Sequence, residues 1–473
     1  MPTGGGGNIV VLMGADSAAA ITRDDHSDEV TALSAQYGRI PKSVPVRLAK
    51  RTSNLFRFRS PSRAPGLDVS GLDRVISVDP DSRTADVQGM VTYENLVDAT
   101  LPYGLMPLVV PQLKTITLGG AVAGLGIESS SFRNGLPHES VREMEILTGD
   151  GRVVLARPDN EHAELFRGFP NSYGSLGYAL RLVIELEPVT PYVRLRHVRF
   201  DGVADCVATL ERIWRTGTFE GSRIDFVDGT VFDATSVYLT LATLVTEAPE
   251  PSDYTGRHIY YRSIRQRAID HLHIRDYLWR WDTDWFWCSR ALGAQHPLVR
   301  PFWPRRYLRS DVYRRLVALD RRFGLSERIA RRLGRPPHEP VIQDVEIPLD
   351  GLEEFLEFFH RDIGISPVWL CPVRLRDPEG WPLYPMDPRT HYVNVGFWSS
   401  VPLAPGQHSS SHNRAIESKV TELDGHKSLY STSFYDEDEF WRLYNRPAYR
   451  RLKERYDAHS RLPGLYDKCV RGT

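Results

Sequence analysis

The spacing of apolar and polar positions divides the chain into two regions. In the first, a helix is predicted over Asp28–Tyr37 and ended by Pro41–Pro45. From Leu67 to Val110 short β-like runs alternate with one helical stretch, Thr92–Leu101. Thr92 is a usable N-cap there, with Asn95 where a capping box would place Glu or Gln. Leu136–Pro188 repeats a strand–turn–strand pattern, with Gly149-Asp150-Gly151 as a tight hairpin turn. Ala163–Arg167 and Gly174–Leu180 read as short helical pieces and Val183–Leu186 as a central strand. Pro188–Pro191 marks a boundary. Beyond it Val193–Phe200 alternates as a strand, and Val203–Thr216 carries apolar residues at helical spacing. Arg223–Val227, Val231–Val245, Val341–Ile347, Val368–Arg374 and His391–Trp398 read as strands and Leu352–His360 as an amphipathic helix. Strands with helices on one face make an α+β layer. Gly425–Ser433 is strand-like, and the chain is mostly helical after Asp436.

Leu108–Val141 follows neither rhythm. It places Gly119, Gly120, Gly124, Gly126 and Gly135 among Thr115, Thr117, Ser129, Ser130 and Ser131. Glycines let a backbone approach a ligand closely, and successive N–H groups and hydroxyls make an anion-binding concavity. The segment reads as a loop wrapped around a diphosphate, with ordinary glycine-rich turns between strands as the alternative. Gly124-Leu125-Gly126-Ile127-Glu128-Ser129 is not G-x-G-x-x-G, and no Gly-Lys-Ser/Thr follows, so neither a Rossmann nor a Walker loop fits.

Composition narrows the class. A chain of 473 residues suggests two domains, and 41% apolar with 25% charged residues is the balance of a globular enzyme. A net charge of −1 gives no global reason to expect nucleic acid. Only seven of the 59 basic residues are lysine, a bias that suits phosphate recognition by planar guanidinium forks. Cys206, Cys288, Cys371 and Cys469 are scattered without C-x-x-C, so no zinc or other metal site and no disulfide framework is expected, and the compartment reads as a reducing cytoplasm. Residues 1–25 read as a flexible glycine/alanine tail without the positive n-region of a signal peptide. No window approaches the ~18 consecutive apolar residues of a membrane span.

A series of short motifs runs through roughly residues 40–190. It comprises Leu72-Asp73-Arg74-Val75, Val78-Asp79-Pro80, Thr84-Ala85-Asp86-Val87-Gln88-Gly89, Pro111-Gln112-Leu113, Thr117-Leu118-Gly119-Gly120, Gly149-Asp150-Gly151-Arg152-Val153-Val154, Phe166-Arg167-Gly168 and Gly174-Ser175-Leu176-Gly177. In this order they resemble the FAD-binding domain of the vanillyl-alcohol oxidase / p-cresol methylhydroxylase (PCMH) superfamily. Gly126-Ile127-Glu128-Ser129-Ser130-Ser131 and Tyr466-Asp467-Lys468 resemble its Δ24-sterol reductase branch. The whole chain resembles actinobacterial flavoproteins that reduce a methylene-branched fatty acyl chain to its methyl-branched product, as in tuberculostearic acid synthesis. It departs from the sterol reductases in showing no N-terminal membrane anchor.

The resemblance implies an α+β protein with a two-lobed PCMH-type FAD-binding domain over 26–190. A cap domain over 191–424 would follow, carrying an aromatic- and Arg-rich helical insertion at 254–338. Residues 425–473 would return to the FAD domain. It implies non-covalent FAD, since no His or Cys stands in the first loop, and NADPH as donor. That loop, Pro45–Asn54, has Arg47, Lys50, Arg51, Thr52 and Ser53 where the family has glycines; charge-assisted contacts to phosphate and a merely solvated basic turn are both open. Further FAD contacts are expected from Pro111, Thr115, Thr117, Leu118, Gly119, Gly120, Gly124, Gly126, Ile127, Ser129, Ser130, Gly135 and Gly177, and from Ile184 in the strand Val183–Leu186, of the type that runs beside the isoalloxazine.

The implied substrate is an isolated alkene in a fatty acyl lipid, which must be protonated before it accepts hydride, so an acid is needed in a dry site. Glu128 is the first candidate, with a structural role toward loop N–H groups as the alternative. His391, which also reads as a core histidine, and Lys427 or Tyr430 on the returning strand are the others; Lys427 could equally balance flavin charge. Glu339, Asp225 and Asp344 read as ordinary cap residues. The insertion Tyr254–His338 interleaves Trp279, Trp281, Trp285, Trp287 and Trp303 with arginines. Its aromatics are its own core, a peripheral contact with the inner membrane face, or a partner interface, for which a lipid methyltransferase is the candidate. A flavin oxidase or dehydrogenase, a sterol-type reductase and an accessory subunit are the rival functions.

Overall fold

The computed structural model describes residues 21–50, 56–57, 66–324, 328 and 332–472. Arg51, Thr52 and Ser53 of the expected first loop lie outside the described residues, as do residues 1–20 of the expected tail. The first helix begins at Arg23, inside that tail, because Thr22 and Asp25 close a reciprocal capping box.

Helix and sheet are mixed, as expected for α+β. The first sheet orders its strands Val75–Asp79, Thr84–Gln88, Gly177–Pro188, Val141–Thr148 and Val153–Ala156, with Leu105–Pro107 paired to the far end of Gly177–Pro188. The predicted Val183–Leu186 lies inside the central strand of this sheet. Gly174–Leu180 is not a helical piece: Gly177–Pro188 is one long strand paired on both sides, and its near-continuous apolar run fits burial on both faces. Thr92 caps the helix Tyr93–Thr100 by accepting from Asn95 N at 3.2 Å.

The second sheet has eight strands, all antiparallel, in the order Ile269–His273, Tyr192–Phe200, Ser236–Val245, Phe226–Asp233, Val368–Val373, Tyr392–Pro402, His338–Pro348 and His426–Lys427. The insertion is therefore not wholly helical, since its Ile269–His273 forms the sheet's edge. Of Gly425–Ser433 only His426–Lys427 is strand. The helices Val203–Thr216 and Leu352–Phe358 cover one face, burying Leu210, Ile213, Phe355 and Leu356 against it. Each such side chain contributes about 1.5–3 kcal/mol on leaving water.

Period-2 alternation decides what the other face carries. Val341, Val345, Ile347, Val368, Leu370, Val393, Val395 and Phe397 point to the helices. Their neighbours Asp344, Glu346, Trp369, Cys371, Asn394, Gly396 and Trp398 therefore share the opposite face. The insertion packs there with Trp279, Trp281, Trp285, Phe286 and Trp287 buried, so these aromatics are core.

Candidate active site

A cavity of about 460 Å³ is lined from both sheets, from the glycine segment and from the insertion. Two groups of residues make its walls.

The first wall is basic and rich in backbone. Thr117, Gly119, Gly120, Ala123, Gly124 and Gly126 line it. Thr117 caps the short helix Leu118–Ala123 and accepts from Gly120 N, while Lys50 Nζ reaches the same hydroxyl at 3.3 Å. Gly119 N donates to Gly89 O at 2.9 Å, and a Cβ on Gly119 would stand 2.6 Å from that oxygen, so only glycine permits this approach to the first sheet. Among the described residues Arg47, Lys50, Arg57 and Lys468 supply four cations to the lining, against the one carboxyl of Asp344. Lys468 Nζ is aimed by Tyr173 O and Gly174 O at 3.0 and 2.9 Å. The Arg57 guanidinium lies 4.7 Å over the Tyr173 ring. Gln112 Nε2, Arg57 Nε and Tyr173 Oη are buried in this lining without a hydrogen-bond partner among the described residues. Four cations and three orphaned polar atoms fit a dinucleotide's diphosphate and polar groups.

The second wall is aromatic. Phe56, Trp285, Phe286, Trp369, Trp398 and Tyr430 line it. Phe286 stacks on Trp398 with ring centres 4.2 Å apart, and Phe56 on Trp285 at 5.9 Å. Trp285 and Phe286 both adopt left-handed backbone, φ 47° and 58°. Such strain costs on the order of 1–3 kcal/mol per residue and persists where surrounding packing holds it. Here Trp281 and Trp398 sandwich the Phe286 ring.

Asp344 stands against this wall. Its carboxyl accepts from Asn394 Nδ2 at 3.3 Å and from Tyr430 Oη, which in turn accepts from Trp398 Nε1 at 2.9 Å. Burial pushes Asp344 up to about 7; the donors Asn394 and Tyr430 oppose that only in part. Gly396 lies directly opposite it on the neighbouring strand, with no Cβ to block the carboxyl. Sequence treated Asp344 as an ordinary cap residue. The strand pattern alone cannot distinguish a polar face turned to water from one turned to a cavity.

Of the other residues expected at the site, Arg47, Lys50, Pro111, Thr117, Gly119, Gly120, Gly124, Gly126, Ile127, Gly177 and Tyr430 line the cavity. Thr115, Leu118, Ser129, Ser130, Gly135 and Ile184 are not in its lining. Ser130 Oγ is spent on Leu108 O at 2.7 Å, and Ile184 is buried in the first sheet. Three of the four acid candidates also stand elsewhere. Glu128 is buried behind the aromatic wall, where Arg280 Nη2 donates to it at 3.1 Å and to Asp228 at 3.0 Å. The same Asp228 oxygen accepts from Trp369 Nε1 at 3.2 Å, so this network holds the wall from outside. Lys427 is buried against Glu417 and donates to Thr432 O at 2.8 Å. His391 stacks on Trp214 at 4.4 Å. Arg57 and Phe286 carried no local signal in the sequence; Lys468 stood in a family-like terminal motif and Trp285 in the aromatic insertion, neither pointing to this cavity.

Comparison with known proteins agrees with this geometry. Residues 26–157 match the FAD binding domain family. The chain is similar to the Δ24-sterol reductases of Rattus norvegicus (26% identical over 421 residues, covering 86% of this chain and 76% of the relative) and Arabidopsis thaliana (26% over 440 residues, 86% and 76%). A stretch of 123 residues is 34% identical to decaprenylphosphoryl-β-D-ribose oxidase of Mycolicibacterium smegmatis, 26% of each chain. The FAD-binding domain and these relatives support an FAD-linked oxidoreductase.

Proposed function

We propose that this FAD-dependent oxidoreductase acts on a carbon–carbon double bond, using NADPH to reduce the exocyclic methylene of a methylene-branched fatty acyl chain to a methyl branch. The similarity to sterol C=C reductases supports the reaction class. The lipid substrate rests on the resemblance of the whole chain to methylene-fatty-acyl reductases and on an apolar aromatic wall suited to an acyl chain. The observation that carries the reading is the position of Asp344, the one carboxyl in the lining among the described residues, beside that wall and with its pKa pushed up to about 7 by burial.

Reduced FAD, when bound, supplies hydride. Arg47, Lys50, Arg57 and Lys468 would hold its diphosphate. An isolated alkene has no carbonyl to absorb a negative charge, so proton addition must come first. The Asp344 carboxyl delivers that proton to the terminal CH₂, leaving a tertiary cationic centre to take the hydride. The Trp398–Tyr430–Asp344 hydrogen-bond chain fixes the direction of the acid. Trp285, Phe286 and Trp369 exclude water from the cation.

The test is anaerobic bleaching of the flavin by NADPH, followed by incubation with a phospholipid bearing a methylene-branched acyl chain. Methyl-branched product by mass spectrometry is expected. Reduced flavin without that product would overturn the substrate assignment, and a flavin that NADPH cannot bleach would overturn the donor.

A further inference from the structure

Ten large hydrophobic side chains are exposed among the described residues, and eight of them fall within residues 298–333. Phe302 is 85% exposed, Leu298 75% and Leu319 52%. In the helix Ser310–Phe323, Leu316, Leu319 and Phe323 recur at i, i+3 and i+7, a stripe along one exposed face. Tyr313 and Val317 occupy a different face and pack inward. The loop before the helix is joined to it by Trp303 against Tyr313, ring centres 6.0 Å apart. Such a concentration of exposed apolar surface marks an interaction site.

The charge around it is uneven too. Residues 298–324 hold eight arginines against two aspartates in a chain whose net charge is −1; Arg300 is buried on Asp284, and Arg305, Arg309 and Arg315 pair with Asp253, Glu94 and Asp311. Arg305 and Arg315 are well exposed at the edges of the patch, and Arg306 lies 4.8 Å over the Tyr307 ring.

The patch is firmly mounted beside the cavity. Arg300 grips Asp284 through two nitrogens at 2.6 and 3.0 Å. Ser310 Oγ donates to Asp282 Oδ1 at 2.5 Å, and Lys114 N donates to the same oxygen at 3.1 Å. Asp282 and Asp284 lie just before the cavity-lining pair Trp285–Phe286, and Lys114 follows the lining residue Leu113.

We propose that residues 298–323 form a docking surface for an anionic lipid bilayer, the apolar stripe entering the acyl boundary while the arginines meet lipid phosphate. Among the described residues no helix is long and apolar enough to cross a membrane, so the contact is peripheral. Arginine stems reach from an apolar surface to phosphate, and an amphipathic helix with a basic border lies in the interface plane. Neutral partners would not require the net positive charge, and nucleic acid would not require exposed Phe302, Leu316 and Leu319. Docking goes beyond the reaction proposed above and stands whichever alkene is reduced.

The test uses the full chain with its flavin bound, floated with vesicles of phosphatidylcholine alone or of an equimolar phosphatidylglycerol–phosphatidylcholine mixture. Co-flotation with the anionic vesicles, weakened by salt, is expected. The variant F302S/L316S/L319S changes only exposed side chains, so it should keep its flavin absorbance and bind these vesicles about a hundredfold more weakly. R305Q/R315Q should weaken binding about fivefold per charge and flatten the salt dependence. The proposal fails if the parent protein does not float with anionic vesicles, or if F302S/L316S/L319S floats as well as the parent. It also fails if those three serines instead dissolve a dimer, which would assign the patch to a second copy, or if the basic segment binds nucleic acid in preference to the vesicles. None of these readouts requires turnover, so they are independent of the substrate assignment.

Discussion

Replacing Asp344 by Asn removes the proposed proton and leaves the shape of the cavity nearly intact. The parent carboxyl holds its proton to about pH 7, against 3.8 for an unhindered aspartate. Ionising it inside the fold therefore costs ~4 kcal/mol, at 1.36 kcal/mol per pH unit. The sign follows from proton counts. Below about pH 4 both folded and unfolded chains carry the proton and the residue has no effect. Between about 4 and 7 the unfolded chain releases it and the folded chain does not, so stability falls as pH rises. Above 7 the full penalty is present. D344N has no such term, because its amide can accept from Asn394 or Tyr430 without charge. The variant should match the parent near pH 4 and exceed it by up to ~4 kcal/mol above pH 7, read by urea unfolding with Trp fluorescence. Turnover should move the opposite way, falling about 10²–10⁴-fold with flavin content and flavin reduction by NADPH unchanged. In the parent, turnover should decline as pH rises through about 7. A D344N enzyme within threefold of parental turnover, or a parent whose stability is flat across that pH range, would refute the role given to this carboxyl.

Tyr430→Phe removes a donor that favours the ionised form of Asp344, so the alkaline limb of the pH–rate profile should move to higher pH while the maximum rate falls. Gly396→Ala puts a methyl group against the Asp344 carboxyl and 2.7 Å from the Trp398 indole; bound FAD should be retained and turnover lost, separable by absorbance and product assay. Lys468→Met removes one cation from the lining and should weaken FAD binding about tenfold to a hundredfold in fluorescence titration of the apoprotein. Glu128→Gln should leave turnover within about threefold of the parent, because Glu128 faces Arg280 behind the wall and not the cavity.

What could be read from the sequence was what local pattern encodes. Val203–Thr216 was legible to the residue because its apolar positions follow a 3.6-residue period over nearly four turns. Thr92 was legible as a cap because capping is a contact over three residues. The glycine segment stood out because its glycines and hydroxyls follow neither the helix nor the strand period, and Thr117, Gly119, Gly120, Gly124 and Gly126 do line the cavity. Gly177–Pro188 was split because a strand buried on both faces loses its alternation, and a short apolar run then reads equally as helix. Ile269–His273 was missed for the converse reason, a five-residue edge strand inside a stretch dominated by tryptophans. The active site was hardest to read because its parts meet only in three dimensions. Arg57 donates to Cys469 and Lys468 to Tyr173, pairs separated by 412 and 295 positions. Asp344 illustrates the limit most sharply. A strand carrying valines on one face and carboxyls on the next position is the ordinary sign of a half-solvated sheet. Here the insertion covers the polar face with tryptophans, and the same alternation that would keep a carboxylate in water delivers a buried carboxyl, its pKa raised, to an apolar wall. Identical local chemistry thus yields a surface residue or a buried acid lining a cavity, depending on what packs over it.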